Sequence, residues 1–138
     1  MEIRQFESHD RDALIALWEA CELTRPWNNP GLDIDRKLSD SPWGLLVLEA
    51  DKSIVGSVMV GFDGHRGWIN YLAAAPSHRR QGIASQLMTV AEELLLARGC
   101  PKVNLQVRDG NDEAIQFYAA RGYANDGVTS WGYRLIHD

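Results

Sequence analysis

The stretch from Trp68 to Pro101 constrains this chain more than any other part of it. Trp68 to Ala74 reads as a strand that stops at Pro76. A short polar loop follows, Ser77-His78-Arg79-Arg80-Gln81, and a long amphipathic helix begins near Gly82. Ile83, Leu87, Met88, Ala91, Leu94 and Leu95 share one face of that helix, with Gln86, Glu92, Glu93 and Arg98 elsewhere. Gly99 can close the helix and Pro101 bars its continuation. A strand running straight into such a helix demands a layered structure in which the helix lies back on a sheet. The helix start also carries amides with no internal partner and the positive end of the helix dipole, so it can bind phosphate oxygens. Gly82 has no Cβ to hold an anion off the backbone, Ala84 is the next-smallest choice, and Arg79 and Arg80 can add charge-assisted bonds. The competing reading is that Gly82 only closes a loop and the arginines are solvated. A P-loop is excluded because no Gly-Lys-Ser/Thr ending is present, and a dinucleotide fingerprint lacks its third glycine.

The remaining elements follow from periodicity and turn chemistry. Ile3 and Phe6 suggest a first strand, and Asp10 is a candidate cap for a helix carrying Ala13, Leu14, Leu17, Trp18 and Cys21 on one face. Arg25 to Gly31 is a turn-rich connection, and Asp33 to Leu38 predicts a short second helix capped by Asp33. Leu45 to Glu49 reads as a buried strand, Asp51-Lys52 as a turn, and Ile54 to Phe62 as the hairpin partner. Asp63 to Gly67 is a second tight turn. Val103, Leu105 and Val107 alternate as a strand. Asn111 to Arg121 predicts a helix presenting Ala114, Phe117 and Tyr118, closed by Gly122. From Tyr123 onward, Trp131, Tyr133 and Leu135 alternate and predict one or two final strands. The order is β-α-α-β-β-β-α-β-α-β-β, an α+β (mixed α/β) layer structure in a single domain over residues 1–138.

Charge and cysteine usage narrow the function classes. Fourteen basic against 19 acidic residues give a net charge of -5, which argues against nucleic acid or an anionic membrane as partner. No apolar run approaches the roughly 18 residues of a membrane span, and the first residues alternate like a strand rather than a secretory leader. Cys21 and Cys100 form neither a disulfide framework nor a metal pair. The expectation is a reduced, cytoplasmic protein with no metal.

Two motifs resemble those of the GCN5-related N-acetyltransferase (GNAT) superfamily. Arg79-Arg80-Gln81-Gly82-Ile83-Ala84 fits its Arg/Gln-x-x-Gly-x-Gly/Ala loop, preceded by Tyr71-Leu72-Ala73-Ala74-Ala75-Pro76 as the strand. Asn111-Asp112-Glu113-Ala114-Ile115-Gln116-Phe117-Tyr118, with Gly122-Tyr123 beyond, resembles its Asn-x-x-Ala-x-x-Phe-Tyr…Gly-Phe/Tyr helix. The resemblance covers essentially the whole chain and implies a central, mostly antiparallel sheet flanked by helices. It implies acetyl-CoA as cosubstrate: its pyrophosphate held by the backbone of residues 80 to 84, chiefly Gln81, Gly82 and Ala84, with Arg79, Arg80 and Ile83 in the same loop. Its pantetheine arm would run along Leu72, Ala73 and Ala74, with an oxyanion-donating amide from that stretch. Asn111 matches the cofactor-contacting asparagine and Tyr118 the residue that protonates the departing thiolate. On the residues alone, Tyr118 could equally be core.

The implied reaction is direct attack of a neutral amine on the thioester, with an amine-bearing small molecule or peptide as partner. The family's glutamate on the fourth strand has no counterpart in Trp68-Ile69-Asn70-Tyr71-Leu72. Glu49, Asp63, His65 or a water chain ending at one of them are the candidates for the base, and none is assigned. Specificity is expected from Arg25-Pro26-Trp27-Asn28, where Trp27 is a pocket wall or a plug of the core edge, and from the final strands. Trp43, Trp68 and Trp131 are expected to be packing residues. The segment Arg25 to Asn28 followed by Asp33 also looks like a subgroup of small bacterial acetyltransferases of unsettled substrate. The alternatives are a protein N-terminal or lysine acetyltransferase and a non-catalytic acyl-CoA binding domain; a homodimer is left open.

Overall fold

The computed structural model describes residues 1–138. Its elements are β1 (Glu2–Gln5), α1 (Arg11–Ala20), α2 (Pro30–Asp40), β2 (Leu45–Ala50), β3 (Ser53–Phe62), β4 (Gly67–Ala74), α3 (Ile83–Ala97), β5 (Val103–Leu105) and α4 (Asp112–Ala120). Short 3-10 turns precede α1, β2 and α3. The five strands lie in chain order, antiparallel from β1 to β4 and parallel between β4 and β5. The expected α+β fold class, a mostly antiparallel sheet flanked by helices, is therefore present.

Strand periodicity sorts the core into two layers. Along β2, Leu45 and Val47 face Leu14, Leu17 and Trp18 of α1 and Ile34 of α2. Leu46 and Leu48 face the opposite side, where Ile83, Leu87, Met88, Ala91 and Leu95 of α3 cover them. Two glycines seat α3 on the sheet. A Cβ at Gly56 would lie 2.6 Å from Ile83 Cγ2, and one at Gly67 would lie 2.7 Å from Leu95 Cδ1. The β2–β3 turn is closed by Asp51 and Lys52, both at positive φ (51° and 65°), which matches the right-handed twist of the paired strands. Arg4 clamps the other edge, its guanidinium donating to Asp10 (2.7 and 3.0 Å) and to Glu49 (2.8 Å).

Four expectations are corrected. The second helix starts at Pro30, not Asp33, because Asn29 accepts from Leu32 N–H and Pro30 occupies the first turn. Asp10 makes no side-chain cap for α1; its carboxylate is taken by Arg4 and by Glu7 N–H. Val107 lies beyond β5, which ends at Leu105. The final strands are not formed: residues 124–138 carry no regular structure, and Trp131, Tyr133 and Leu135 are 90%, 89% and 86% exposed. Alternation describes a strand only if a partner edge receives it, and β5 is three residues long. The tail is held by side-chain contacts instead, among them Lys102–Asp126 and Gln106–Ser130. Trp131 is thus not a packing residue, whereas Trp43 lies under the Arg98 guanidinium at 3.7 Å.

Gly56→Ala is expected to lower stability by about 1–3 kcal/mol, since α3 must shift to admit the methyl group. Urea unfolding of the variant checks this, and an unchanged midpoint would show that α3 is not seated there.

Candidate functional site

The sheet opens where β4 outruns β5. Their pairing covers only Gly67–Ile69 against Val103–Leu105, while β4 continues to Ala74. Beyond Ile69 the edge of β4 turned away from β3 has no strand partner. A cleft fills the gap, with Asn70, Tyr71 and Leu72 on one wall and Leu105, Asn111 and Tyr118 on the other.

The β4 wall is shaped by a bulge. Ser57 pairs with Ala73 and Met59 with Asn70, so Tyr71 and Leu72 stand opposite the single residue Val58. Tyr71 sits at φ 50°, a left-handed conformation that a non-glycine residue holds only when its surroundings impose it. They do. The buried Ser57 hydroxyl donates to the Tyr71 carbonyl (2.8 Å) and accepts from Trp18 Nε1 (2.9 Å). The Tyr71 ring stacks on Trp18 at 3.7 Å between centroids, 13° from parallel. Its hydroxyl donates to Asp33 Oδ2 at 2.6 Å and accepts from Asn28 Nδ2 at 3.1 Å, while Asn28 Nδ2 also donates to Asp33 (2.5 Å). Burial, then the Asp33 carboxylate, raises the Tyr71 phenol well above its ordinary value.

The opposite wall is α4. Asn111 caps it, accepting from Ala114 N–H (3.2 Å), so its side-chain oxygen has a structural duty as well as a place in the cleft. Tyr118 packs edge-on to Phe117 and lines the cleft. Burial raises its phenol, which keeps it protonated near neutrality. Glu92 of α3 fixes the end of α4 by accepting from Arg121 (2.7 Å) and Tyr123 (2.6 Å). Burial, then Glu92, pushes the Tyr123 phenol up.

At the head of α3, Arg80 and Gly82 take positive φ (65° and 74°). The first helical bond runs from Gln86 N–H to the Gly82 carbonyl at 2.9 Å, which leaves the amides of Ile83, Ala84 and Ser85 without intrahelical acceptors. Arg79, Arg80, Gln81 and Gly82 are exposed. The Ile83 side chain is buried in the core, so only its backbone belongs to the loop. Leu72 packs toward α3 and Ala73 toward α1 and α2. Cys21 is half-buried and lines the cleft, its thiol donating to the Ala74 carbonyl (3.3 Å); burial raises it despite nearby Arg79.

None of the candidate bases lines this cleft. Glu49 is bound by Arg4 on the far side of β2, and Asp63 ties the β3–β4 turn by accepting from His65 N–H, Arg66 N–H and Trp68 Nε1. His65 is exposed in that same turn. Trp27 is 55% exposed and lines the cleft, so it is a wall and not a plug. Tyr71 and Asp33 are the cleft residues that sequence reasoning missed as a site. Asp33 read as a helix cap, and its only signal was the company of Arg25 to Asn28. Glu7, His9 and Asp10 bring possible ligand atoms within 4.8 Å of one another, but outside the cleft and with Asp10 committed to Arg4. No helix is long and apolar enough to cross a membrane.

Comparison with known proteins agrees with this geometry. A family model described as acetyltransferase (GNAT) family matches residues 6–123. An acetyltransferase of Pectobacterium atrosepticum is 49% identical over 138 residues, covering 100% of this chain and 98% of that one. Ard1 from Thermoplasma volcanium superimposes with a TM-score of 0.76 at 26% identity, covering 89% of this chain and 82% of that one. AAC(6')-Iy, solved with the bisubstrate analogue CoA-S-monomethyl-acetylneamine, shares the fold at a TM-score of 0.79 and 16% identity, each chain covered to 98%.

Ser57→Ala is expected to cost about 1–3 kcal/mol, because it orphans the buried Trp18 indole N–H. Equal urea midpoints for the variant and the parent would contradict the place given to this hydroxyl.

Proposed function

The chain belongs to the acetyltransferase (GNAT) family, and from that premise we propose that it transfers an acetyl group from acetyl-CoA to a primary amine of a small molecule or peptide. The observation that carries the proposal is one cleft wall: the β4 edge, without a strand partner from Asn70 to Ala74, leads by one loop to the glycine that starts α3. Gln81 to Ala84 hold the pyrophosphate with main-chain amides, Arg79 and Arg80 adding charge. Leu72, Ala73 and Ala74 receive the pantetheine arm as an added strand edge, and an amide of this stretch donates to the thioester oxygen. When bound, acetyl-CoA supplies the activated acyl carbon. The chain supplies orientation and a proton.

Tyr118 holds that proton on the far wall. Its hydroxyl donates to no protein group, and its raised phenol stays protonated where a thiolate forms. Asn111 stands at the α4 end of the same wall and is assigned a contact with the cofactor. The bonds balance simply. The amine nitrogen bonds to the acyl carbon, the carbon–sulfur bond breaks, the thiolate takes the Tyr118 proton, and the nitrogen gives a proton to solvent, from which the Tyr118 phenolate recovers its own.

Gly82→Glu places a carboxylate at the anion-binding turn and forces a side chain into positive φ, at about 1–3 kcal/mol. Calorimetric titration with acetyl-CoA is expected to show binding lost while the circular dichroism spectrum stays native; unaltered affinity would refute the placement. Tyr118→Phe is expected to slow CoA release about 100-fold with acetyl-CoA affinity retained. Equal turnover would remove the general-acid role.

A further inference from the structure

We propose that Asp33, oriented by Tyr71 and Asn28, is the receptor for the acceptor's ammonium group, which loses one proton to solvent before the neutral nitrogen attacks the thioester, and that the acceptor is a primary amine with no carboxylate beside its nitrogen. The inference rests on the acetyl-transfer reading and names its substrate class. Asp33 lies in the first turn of α2, where the helix dipole favours an anion. Its Oδ2 is fully engaged by Tyr71 and Asn28. Oδ1 meets only Arg36 Nη1 at 3.2 Å, and the other nitrogen of that guanidinium is drawn to Asp138 at 2.6 Å. Oδ1 is thus the oxygen with acceptor capacity left, on a side chain 20% exposed at the cleft.

Position singles Asp33 out among the cleft's carboxylates. Glu92 has both oxygens engaged, by Arg121 and Tyr123, and Asp126 is paired with Lys102. Asp40 accepts from Ser41 Oγ, and Glu22 and Asp109, the other two carboxylates of the cleft, have no bond to β4. Asp33 alone is bonded to a β4 side chain, the hydroxyl of Tyr71 directly before Leu72, and so shares the cleft with the strand edge assigned to the pantetheine arm. The cations around Asp33 already have partners, and Arg108, which also lines the cleft, follows β5 on the opposite wall. Arg25 donates to the Glu22 and Thr24 carbonyls, Arg36 clasps Asp138, and Arg134 donates to Asn28 Oδ1. What remains open at the mouth is the exposed Trp27 indole, a surface for an apolar or aromatic substituent.

The test uses the full chain, acetyl-CoA and thiol release with tyramine, 1,4-diaminobutane, L-alanine and methoxyamine, the last uncharged at neutral pH. Calorimetry first establishes acetyl-CoA binding; absence of binding would overturn the acetyl-transfer reading itself. With binding present, kcat/KM for tyramine or the diamine is expected to exceed that for alanine at least 10-fold. Asp33→Asn is expected to raise KM for the preferred cationic amine about 10- to 100-fold, the range of one charge-assisted hydrogen bond, with acetyl-CoA affinity unchanged and a clearly smaller loss for methoxyamine. Tyr71→Phe is expected to raise the same KM less. Preference for alanine, no turnover of either cationic amine despite bound acetyl-CoA, or equal losses for methoxyamine and the cation would each overturn the proposal. The last would assign Asp33 to folding alone.

Discussion

The Trp18 indole, the Ser57 hydroxyl and the Tyr71 carbonyl form one buried relay on which the rest of the site depends. A tyrosine in a left-handed conformation is unfavourable by itself. Here the strain is offset because the same residue is bonded at its carbonyl, stacked on its ring and bonded at its hydroxyl. The bulge redirects β4, and the redirected strand leaves β5 after Ile69. The cleft is therefore a consequence of a core contact between α1 and the sheet, not of a loop.

That contact also explains how two layers cooperate. Trp18 belongs to the layer under α1 and α2, and α3 covers the other face. The loop before α3 is reached from β4, so the strand that takes its shape from one layer delivers the chain to the helix of the other. Gly56 and Gly67 let α3 lie close enough for its first turn to stay level with the strand ends. Between them, the two faces hold the bulge and the helix start at opposite ends of one short path.

Much of this was legible in the sequence, for a physical reason. The helix of α3, the hairpin of β2 and β3, and the Gly82 and Asn111 motifs are local patterns of period, turn and cap, and the structure forms each of them. Asp33 was legible only as a polar residue near a helix start, because its bonds run to Tyr71, 38 positions away. Glu49, Asp63 and His65 looked available for the opposite reason: nothing local announced that Arg4 and the hairpin turn would claim the two carboxylates. The tail misled because Trp131, Tyr133 and Leu135 alternate, yet an edge three residues long gives that alternation nothing to pair with.

The two halves of the cleft are thus built from different materials. The half assigned to acetyl-CoA is made of main chain: helix amides, an open strand edge, and residues small enough to uncover them. Such a surface requires glycine or alanine at fixed spacing and constrains little else, so it leaves a motif. The half assigned to the acceptor is made of side chains brought from α2 and the loop before it to the β4 bulge. Replacing Asp33 or Trp27 changes the charge and shape of that wall without touching the backbone path. One scaffold can accordingly keep a single acyl donor while its amine changes, because the donor reads the fold and the acceptor reads residues the fold merely carries.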